Sequence, residues 1–444
     1  MCGIFAALNI PKAAEHVTIG LHATQHRARD YAGIATSDGQ HIYRERGPGI
    51  VRQVFTRAML DRLHGRDALG HIRYPTVDDD PTRDNIQPVL GYYAGREFAL
   101  AHNGNLTNVE ELRAMFPGAK LKTSLDTEMI VRLLEYFDSG DIEADIREVL
   151  RLVKGSCTFV MLLPNRIIAV RDKSGNRPLS IGKSDEGYYV SSETCAFANV
   201  HAEFLMDVPA GSMVVLEYGG YRTVELAKAC EQNCRFEAIY FAHPGSRVFE
   251  EEVTPFRIAL GRALEEFAPA IGADIVTPIP DSSNMIALGY GEGGRSGKFL
   301  PVITRNHYVG RTFIAATQAA RDVEVSRKFG FTEGLIRGKS IVVIDDSIVR
   351  GTTMPKIVRR LYELRAKAVH VRIACPPILY SCHYGINTPT RDELAAVRYS
   401  RSELEELIGA DSLQYLPLTH LRELSPRSEK LCYACMDGKY WDRD

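Results

Sequence analysis

Residues 341–353 read IVVIDDSIVRGTT, an apolar run that ends in two acids and continues into a loop with glycine and threonines. This run, followed by an amphipathic pattern over residues 355–366, is typical of a buried parallel strand, a loop and a helix. Such a loop presents backbone N–H groups, hydroxyls and a helix N-terminus to a phosphate at the carboxyl end of the strand. The alternative is a helix-capping loop with solvated acids. The stretch therefore predicts an α/β sheet with a phosphate site.

The rest of the second half is predicted to be a doubly wound parallel sheet. Apolar runs at residues 238–241, 275–278 and 369–374 are candidate strands, and helical patterns separate them. This alternation favours a parallel sheet with helices on both faces. We expect this domain to span residues 229–415 and to be followed by a tail over residues 416–444.

The first half, residues 1–228, contains short apolar runs and few long helical patterns. It is predicted to contain layered sheets with helices outside. Strand-like apolar runs occur at residues 2–8, 68–73, 98–102, 158–163 and 167–170. One helix is predicted to begin near Asp126, because apolar residues recur on one face between positions 130 and 137. Thr123 and Asp126 are spaced as a capping box for that helix.

The composition is that of a globular protein with more than one domain. The chain has 444 residues, 45% hydrophobic and 25% charged, with a formal net charge of -2. These values give no sign of a nucleic-acid-binding surface. No apolar run approaches the roughly 20 residues of a membrane span, and the N-terminus lacks a signal-peptide pattern. We expect a cytoplasmic protein without nucleic-acid or membrane partners.

Cys2 directly follows Met1, so removal of the methionine would leave a thiol at the start of the chain. A terminal cysteine carries a nucleophile and, in its α-amino group, a base that titrates near about pH 8. The alternative is that Cys2 merely begins a buried strand, because free cysteine is a common core residue. The motif alone is too short to decide between the two.

Five short segments occur in one order along the first half: MCGIF at 1–5, QHR at 25–27, GHIRY at 70–74, AHNGNL at 101–106 and DTE at 126–128. Together they resemble the glutamine amidotransferase domain of the N-terminal-nucleophile (Ntn) hydrolases. The resemblance implies a four-layer αββα fold in which Cys2 forms a glutamyl thioester. It also implies an oxyanion hole made by the Asn103 side chain and the Gly104 N–H.

The same resemblance implies that glutamine is bound by Arg73, Asp126 and Arg27. Arg73 would grip the α-carboxylate, and Asp126 would accept from the α-ammonium group. Each residue also has an ordinary structural reading. Arg73 could be a surface arginine, Asn103-Gly104 a hairpin turn, and Asp126 an acid favoured at a helix start.

The loop after the apolar run resembles the phosphoribosyl pyrophosphate motif of type I phosphoribosyltransferases. The resemblance implies a ligand site made by Asp345, Asp346, Ser347, Val349, Arg350, Gly351, Thr352 and Thr353. Residues 280–283 resemble the loop on the pyrophosphate side, so Ser282 is expected to join Asp345 and Asp346 around Mg²⁺. Residues 305–314 resemble a flexible lid, which implies that Arg311 also contacts the substrate.

The two halves together are similar to the amidophosphoribosyltransferases, over nearly the whole chain. Members use ammonia from glutamine to replace the pyrophosphate of phosphoribosyl pyrophosphate, as the first step of purine synthesis. The resemblance implies small-molecule substrates, purine nucleotides as feedback inhibitors, and a homo-oligomer. Ala28, Pro75 and the acids at 78–80 depart from the family pattern, which leaves open a paralogue of a specialised pathway. A regulator that binds phosphoribosyl pyrophosphate without catalysis is a second alternative.

Nine cysteines do not read as a disulfide framework, and four of them carry a further resemblance. Cys234, Cys382, Cys432 and Cys435 lie where one branch of the family ligates a [4Fe–4S] cluster. Taken alone, Cys432 and Cys435 could be half of a zinc or iron–sulfur site, a redox pair, or ordinary core cysteines, and four thiolates suit zinc as well as a cluster. The resemblance implies a structural cluster that connects the tail to both domains.

Overall fold

The computed structural model of the protein describes residues 2–74, 83–117, 121–307 and 328–442. In the first half, the strands are β1 Gly3–Leu8, β2 Tyr31–Ser37, β3 Ile42–Pro48, β4 Asp67–Arg73, β5 Val89–Tyr93, β6 Arg96–Leu106, β7 Gly155–Leu163, β8 Arg166–Arg171, β9 Ser180–Lys183, β10 Tyr188–Ser191, β11 Glu203–Asp207, β12 Ser212–Glu217 and β13 Gly220–Glu225. The helices are α1 Ala13–Ala23, α2 Val51–Val54, α3 Arg57–Leu60, α4 Val109–Ala114, α5 Asp126–Phe137 and α6 Ile142–Leu152.

These strands form two antiparallel sheets that pack face to face. Their strand orders are β11-β9-β10-β1-β4-β2-β3 and β13-β12-β8-β7-β6-β5. Strand β1 explains the layering: Ile4 and Leu8 belong to the core between the sheets, whereas Phe5 and Ala7 pack toward α1. Helices α5 and α6 cover the second sheet on its other face. Central strands such as β1 and β7 are buried and largely apolar, whereas β3 and β13 at the sheet edges carry charged residues that are exposed or half-buried. The predicted four-layer fold is confirmed.

The second half contains the strands β14 Asn233–Cys234, β15 Arg247–Val248, β16 Glu251–Glu252, β17 Ile275–Pro278, β18 Lys298–Phe299, β19 Ile303–Arg305, β20 Phe329–Phe331, β21 Ser340–Asp345, β22 Ala368–Ile373, β23 Ser412–Tyr415 and β24 Leu431–Cys432. Its described helices are α7 Val253–Phe267, α8 Asn284–Glu292, α9 Glu333–Ile336, α10 Met354–Glu363, α11 Ala395–Arg398, α12 Arg401–Ile408, α13 Leu418–Glu423 and α14 Ala434–Asp437.

The central sheet of this half has the order β18-β17-β21-β22-β23, and every neighbouring pair is parallel. Along β21, Val342 and Ile344 pack with α7 and α8, whereas Ile341 and Val343 pack with α10 on the opposite face. Each fully buried side chain of this size contributes about 1.5–3 kcal/mol. The predicted doubly wound parallel sheet is therefore confirmed. Its central strand, β21, ends at Asp345, which lies at the carboxyl edge of the sheet.

Two local predictions are wrong. Residues 238–241 are not a strand but part of a π-helical segment, Glu237–Phe241. The Arg257 side chain donates to the carbonyls of Ala238 and Ala242, which stabilises this irregular turn. The capping box before α5 is also absent, because the N-cap is Leu125 without a side-chain bond and the Thr123 hydroxyl donates to Glu128.

The tail returns to the beginning of the second half. Strand β24 pairs in parallel with β14, and this register places Cys432 opposite Cys234. Among the described residues, no helix is long and apolar enough to cross a membrane.

Candidate active sites

Cys2 immediately precedes β1 and contacts residues from both sheets. Its backbone N–H donates to Asn103 Oδ1 on β6 at 3.3 Å. The antiparallel pairing of β1 with β4 places Gly3 opposite Ile72, so Arg73 at the end of β4 lies beside Cys2. The fold thus brings together three of the residues predicted for the glutamine site.

Asn103 and Gly104 lie side by side on β6, opposite Thr158 and Cys157 of β7. The Asn103 Nδ2 atom is buried and has no hydrogen-bond partner among the described residues. A buried donor without a partner costs about 1–3 kcal/mol, so an acceptor supplied by a ligand is expected there. A Cβ atom at Gly104 would lie 2.1 Å from the carbonyl oxygen of Ser156, which explains the glycine.

Arg73 is buried, with 6% of its surface exposed. Its guanidinium donates to the carbonyl oxygen of Asn85. Asn85 in turn exchanges two hydrogen bonds with Ser124, of 3.0 Å from the Ser124 N–H and 2.8 Å to its hydroxyl. Asn85 therefore connects the arginine to the segment that leads into α5.

Asp126, the first residue of α5, is held by a backbone donor and a histidine. Its carboxylate accepts from the Leu106 N–H at 3.0 Å and lies 3.5 Å from His102 Nδ1. Burial alone would raise the pKa of Asp126, but the attraction of His102 and the hydrogen bonds give a net decrease. Burial lowers the pKa of His102 and Asp126 raises it, with a net increase. Asp126 is thus kept as the carboxylate that an ammonium group requires.

No role was predicted for His102, although a histidine inside the apolar run 98–102 was the available signal. Its ring is buried, and Nε2 lies 3.3 Å from the Ser156 carbonyl oxygen. His71 lies next to it, with Nε2 at 3.2 Å from the His102 carbonyl oxygen. Burial, with the nearby Arg73 charge, lowers the pKa of His71 to about 3. The pKa values of the two neighbouring histidines are therefore shifted in opposite directions.

Arg27, predicted to bind glutamine, lies behind the nucleophile among protein carboxylates. Its Nε donates to the Cys2 carbonyl oxygen at 2.8 Å. The other nitrogens bind Glu193 at 2.5 Å and Glu237 at 2.8 Å. The guanidinium is 1% exposed. Neither glutamate was singled out from the sequence, because each becomes an Arg27 partner only in the folded chain.

The two glutamates connect the halves of the chain. Glu193 also accepts from the His243 N–H and the Ser246 hydroxyl, both at 2.7 Å. Burial alone would raise the pKa of Glu193, but the charges of His26 and Arg27 lower it strongly. A buried carboxylate with these partners remains ionised. Removing one partner would lower the free energy of unfolding by about 3–5 kcal/mol.

The acid pair at the end of β21 lies against two serines of the loop before α8. The Ser282 hydroxyl donates to Asp346 at 2.5 Å, and the Ser283 hydroxyl donates to Asp345 at 3.0 Å. The Ser347 hydroxyl donates to Asp346 at 2.6 Å. Burial raises the pKa of both acids, and their mutual repulsion raises that of Asp345 further. A cation or several ligand hydroxyls would relieve this repulsion.

The remaining loop residues surround the N-terminus of α10. The Val349 carbonyl oxygen accepts from the Ala395 N–H at 2.8 Å, which anchors the loop. Gly351 has a φ of +71°, a conformation that favours glycine. Thr352 and Thr353 are exposed, and Thr353 is the N-cap of α10. Arg350 forms an ion pair of 3.4 Å with Glu393.

The predicted lid is described only at its beginning. Arg305 binds Asp281 at 3.1 Å, and His307 lies 3.9 Å from the same carboxylate. These contacts place the start of the lid beside the loop that carries Ser282. Arg311, Pro75 and the acids at 78–80 lie outside the described residues.

Cys234, Cys382, Cys432 and Cys435 line a single apolar cavity, which Phe236, Ile378 and Ile386 also border. Burial raises the pKa of the Cys234 thiol to about 11, and burial with the neighbouring thiols raises the pKa of Cys435 well above its ordinary value. Over the described ranges, no three His, Cys, Asp or Glu side chains converge closely enough for one metal ion. The thiols therefore surround a space rather than a point.

Comparison with known proteins gives consistent results over the whole chain. The model of a glutamine amidotransferase domain matches residues 71–199. The chloroplastic amidophosphoribosyltransferase of Glycine max is 39% identical, and the match covers 99% of this chain and 78% of that protein. The Bacillus subtilis amidophosphoribosyltransferase is 37% identical, with 99% and 94% covered. A solved structure of the B. subtilis glutamine phosphoribosylpyrophosphate amidotransferase, complexed with ADP and GMP, has a TM-score of 0.93 at 36% identity and covers 100% of this chain and 98% of that chain.

Proposed function

The chain belongs to the amidophosphoribosyltransferase family, and we propose that Cys2 and the Asp345-Asp346 loop are its two reaction centres. The family reaction converts glutamine, water and phosphoribosyl pyrophosphate to 5-phosphoribosylamine, glutamate and pyrophosphate, in the first step of purine synthesis. The relatives are named as enzymes over the full chain, so the regulator considered above has no support. The observation that carries the assignment of the first centre is the Asn103 Nδ2 atom beside Cys2, which has no hydrogen-bond partner in the described part of the chain.

At the first centre, the Cys2 thiol attacks the carboxamide carbon of glutamine after Met1 has been removed. The freed α-amino group accepts the thiol proton and returns it to the leaving ammonia. The Asn103 Nδ2 and the Gly104 N–H bind the developing oxyanion. Water then cleaves the thioester to glutamate, and Cys2 is regenerated.

The substrate is oriented at its α-carbon. Arg73 binds the α-carboxylate in a paired geometry, and Asp126 accepts from the α-ammonium group. His102 acts indirectly, because it lies 3.5 Å from Asp126 and lowers the pKa of that carboxyl group. The contacts of Arg27 favour a role in positioning Cys2 through its carbonyl oxygen over direct contact with glutamine.

At the second centre, ammonia attacks C1 of the ribose as pyrophosphate leaves. Asp345 and Asp346 bind the ribose hydroxyls, while loop residues 347–353 and the N-terminus of α10 bind the 5-phosphate. Ser282 and the acid pair are the residues that would bind Mg²⁺, which supplies positive charge against the departing pyrophosphate. We place Arg311 of the lid on the same substrate. Ammonia reaches this centre through an internal passage between the domains, 1–228 and 229–415.

Asn103→Ala tests the first centre. Removing one oxyanion donor is expected to lower kcat with glutamine by about 10²–10³-fold. The KM for glutamine should change little, because Arg73 and Asp126 bind the other end of the substrate. Activity with ammonium chloride should be retained, and steady-state kinetics with both nitrogen sources measure the difference. An equal loss with ammonia would contradict the assignment.

The cysteine cavity is best filled by a [4Fe–4S] cluster. Four thiolates around a space suit a cluster, whereas zinc at about 2.3 Å from each sulfur requires them to converge. The site joins β14, the segment at Cys382 and the tail at β24, so the cluster would connect these three segments. Its role here is structural.

Protein purified without oxygen is expected to be brown and to contain about four irons and four sulfides per chain. Cys432→Ser should remove most of the iron, because it deletes one ligand of the cavity. Cys230→Ser is the matched control, since Cys230 is exposed and lies outside the cavity. Colourless wild-type protein with zinc and no sulfide would show that the metal is zinc.

The family relation also supports proposals about regulation by nucleotides and about assembly. The B. subtilis structure contains ADP and GMP, so we propose that purine nucleotides bind this chain as feedback inhibitors. We also propose a cytoplasmic homo-oligomer. Equilibrium dialysis with ADP and GMP, together with light scattering, measures both properties.

A further inference from the structure

The end of β6, the strand that carries Asn103 and Gly104, is contacted by residues from the second half of the chain. Asn105 Nδ2 donates to the His383 carbonyl oxygen at 3.0 Å. Thr107 Oγ1 donates to Asp442 Oδ2 at 2.9 Å. Gly385 has a φ of +110°, and a Cβ atom there would lie 3.0 Å from the Gly104 carbonyl oxygen. The backbone at 385 thus packs directly on the glycine assigned to the oxyanion hole.

The contacting residues, 383–385 and 440–442, also bind one another, and together they are named the C-terminal clamp. The Trp441 ring stacks on Tyr384, with ring centroids 3.3 Å apart. The Tyr384 hydroxyl donates to Asp442 Oδ1, so this one carboxylate joins Tyr384 to Thr107. The Tyr384 carbonyl oxygen accepts from Arg177 at 2.6 Å and 3.0 Å. The clamp is therefore connected within itself and to the first half.

The position of the oxyanion donors is the property that these contacts affect. Donors must be held within about 0.5 Å of their productive positions, roughly 3 Å from the oxyanion, and a displacement of about 1 Å can cost 10²-fold in rate. On its other side, the same strand end is fixed by Asp126, which accepts from the Leu106 N–H. Residues 104–107 therefore lie between a substrate-binding acid and the C-terminal clamp.

We propose that the C-terminal clamp positions the oxyanion hole, so that the second half of the chain completes the glutaminase site. This inference rests on the proposed roles of Cys2, Asn103 and Gly104. Thr107, Tyr384 and Asp442 are positioning residues, because they act through the strand rather than on the substrate. A merely structural contact between domains would lower stability and would affect both nitrogen sources equally.

Thr107→Val removes the hydroxyl at nearly constant shape, and Thr107→Ser retains it. With glutamine, the valine variant is expected to lose about 10-fold or more in kcat, with little change in KM. The serine variant should keep activity within about 2-fold of wild type. Asp442→Ala removes the bonds to both Thr107 and Tyr384, so it should lose at least as much as the valine variant. The double variant should lose little more than Asp442→Ala alone, because the bond that Thr107→Val deletes is already absent. Activity with ammonium chloride should be unchanged in all four variants.

These measurements distinguish failure of the C-terminal clamp from failure of the proposed first centre. The C-terminal clamp would be refuted if the valine and alanine variants kept wild-type glutamine kinetics. It would also be refuted if glutamine and ammonia activities fell together with the thermal unfolding temperature. A wild-type enzyme that used ammonia but not glutamine would instead refute the proposed first centre. Tyr384→Phe is a further check, since it deletes the bond to Asp442 but keeps the stacked ring.

Discussion

Cys2→Ala is expected to abolish glutamine-dependent formation of phosphoribosylamine while leaving ammonia-dependent formation intact. The loss should be at least about 10³-fold, because no thioester can form and the remaining groups only bind and orient glutamine. Alanine is small, so removal of Met1 should proceed as in the wild type. The second centre needs only a supply of ammonia, and none of the residues proposed for it is changed in this variant.

The measurement for this variant is pyrophosphate release with glutamine and with ammonium chloride, at equal enzyme concentration. Cys230→Ala is the matched control, since that cysteine is exposed, and it should behave as wild type with both substrates. Glutamine-dependent release that survived in Cys2→Ala would contradict the nucleophile assignment. Mass spectrometry of the wild type should find a chain that begins at Cys2.

Asp346→Asn is expected to abolish phosphoribosyl transfer from both nitrogen sources. The change preserves the shape and one of the two oxygens that accept from the Ser282 and Ser347 hydroxyls, but it removes a charge at the ribose and metal position. A preorganised charged group of this kind contributes about 10²–10³-fold or more to the rate. Glutamate formation in the absence of phosphoribosyl pyrophosphate should be unchanged, because the first centre is intact.

Although Asp346→Asn should lose activity, its folded state should be more stable than that of the wild type. Burial raises the pKa of Asp345 and Asp346, so their ionised forms destabilise the folded chain. For acids with a raised folded pKa, the stabilising contribution exists at low pH and is lost as the pH rises above the unfolded value. Asp346→Asn should therefore unfold at a higher temperature than wild type at neutral pH. Differential scanning calorimetry measures this shift, and an inactive variant with a lower unfolding temperature would point to misfolding instead.

Asp274→Asn is the matched control for the acid pair. Asp274 accepts from the Ser340 N–H at 2.9 Å, at the amino end of the same strand β21. Ligand groups in parallel sheets gather at the carboxyl edge, so an acid at the amino end has no expected role in transfer. Its asparagine variant should keep wild-type kinetics with both nitrogen sources.

Strongly patterned segments made most of the fold predictable from the sequence. The apolar run 341–344 gave the central strand, its parallel neighbours and the position of the acid pair. The prediction of a strand at 238–241 failed for a physical reason. The residues are apolar enough for a strand, but Arg257 binds the backbone there and Glu237 turns inward to Arg27. Such an arrangement depends on distant residues that no local pattern contains.

In the candidate site, too, residues in short local motifs could be predicted, whereas residues that act through distant contacts could not. Cys2, Arg73, Asn103 and Asp126 were predicted from short motifs, and the fold brings them together. His102, Glu193 and the C-terminal clamp were not predicted, because their roles come from contacts over long separations in the chain. Thr107 and Asp442, for instance, are ordinary polar residues until the tail packs on β6. Long-range contacts of this kind require the folded coordinates.

One assay measures the coupling between the two centres directly. Glutamate and pyrophosphate should be quantified in the same reaction, with glutamine present and with phosphoribosyl pyrophosphate either added or omitted. We expect phosphoribosyl pyrophosphate to stimulate glutamate formation, and the two products should then appear in a ratio of about one to one, as the reaction requires. Glutamate formation that ignored phosphoribosyl pyrophosphate, without release of pyrophosphate, would contradict this coupling.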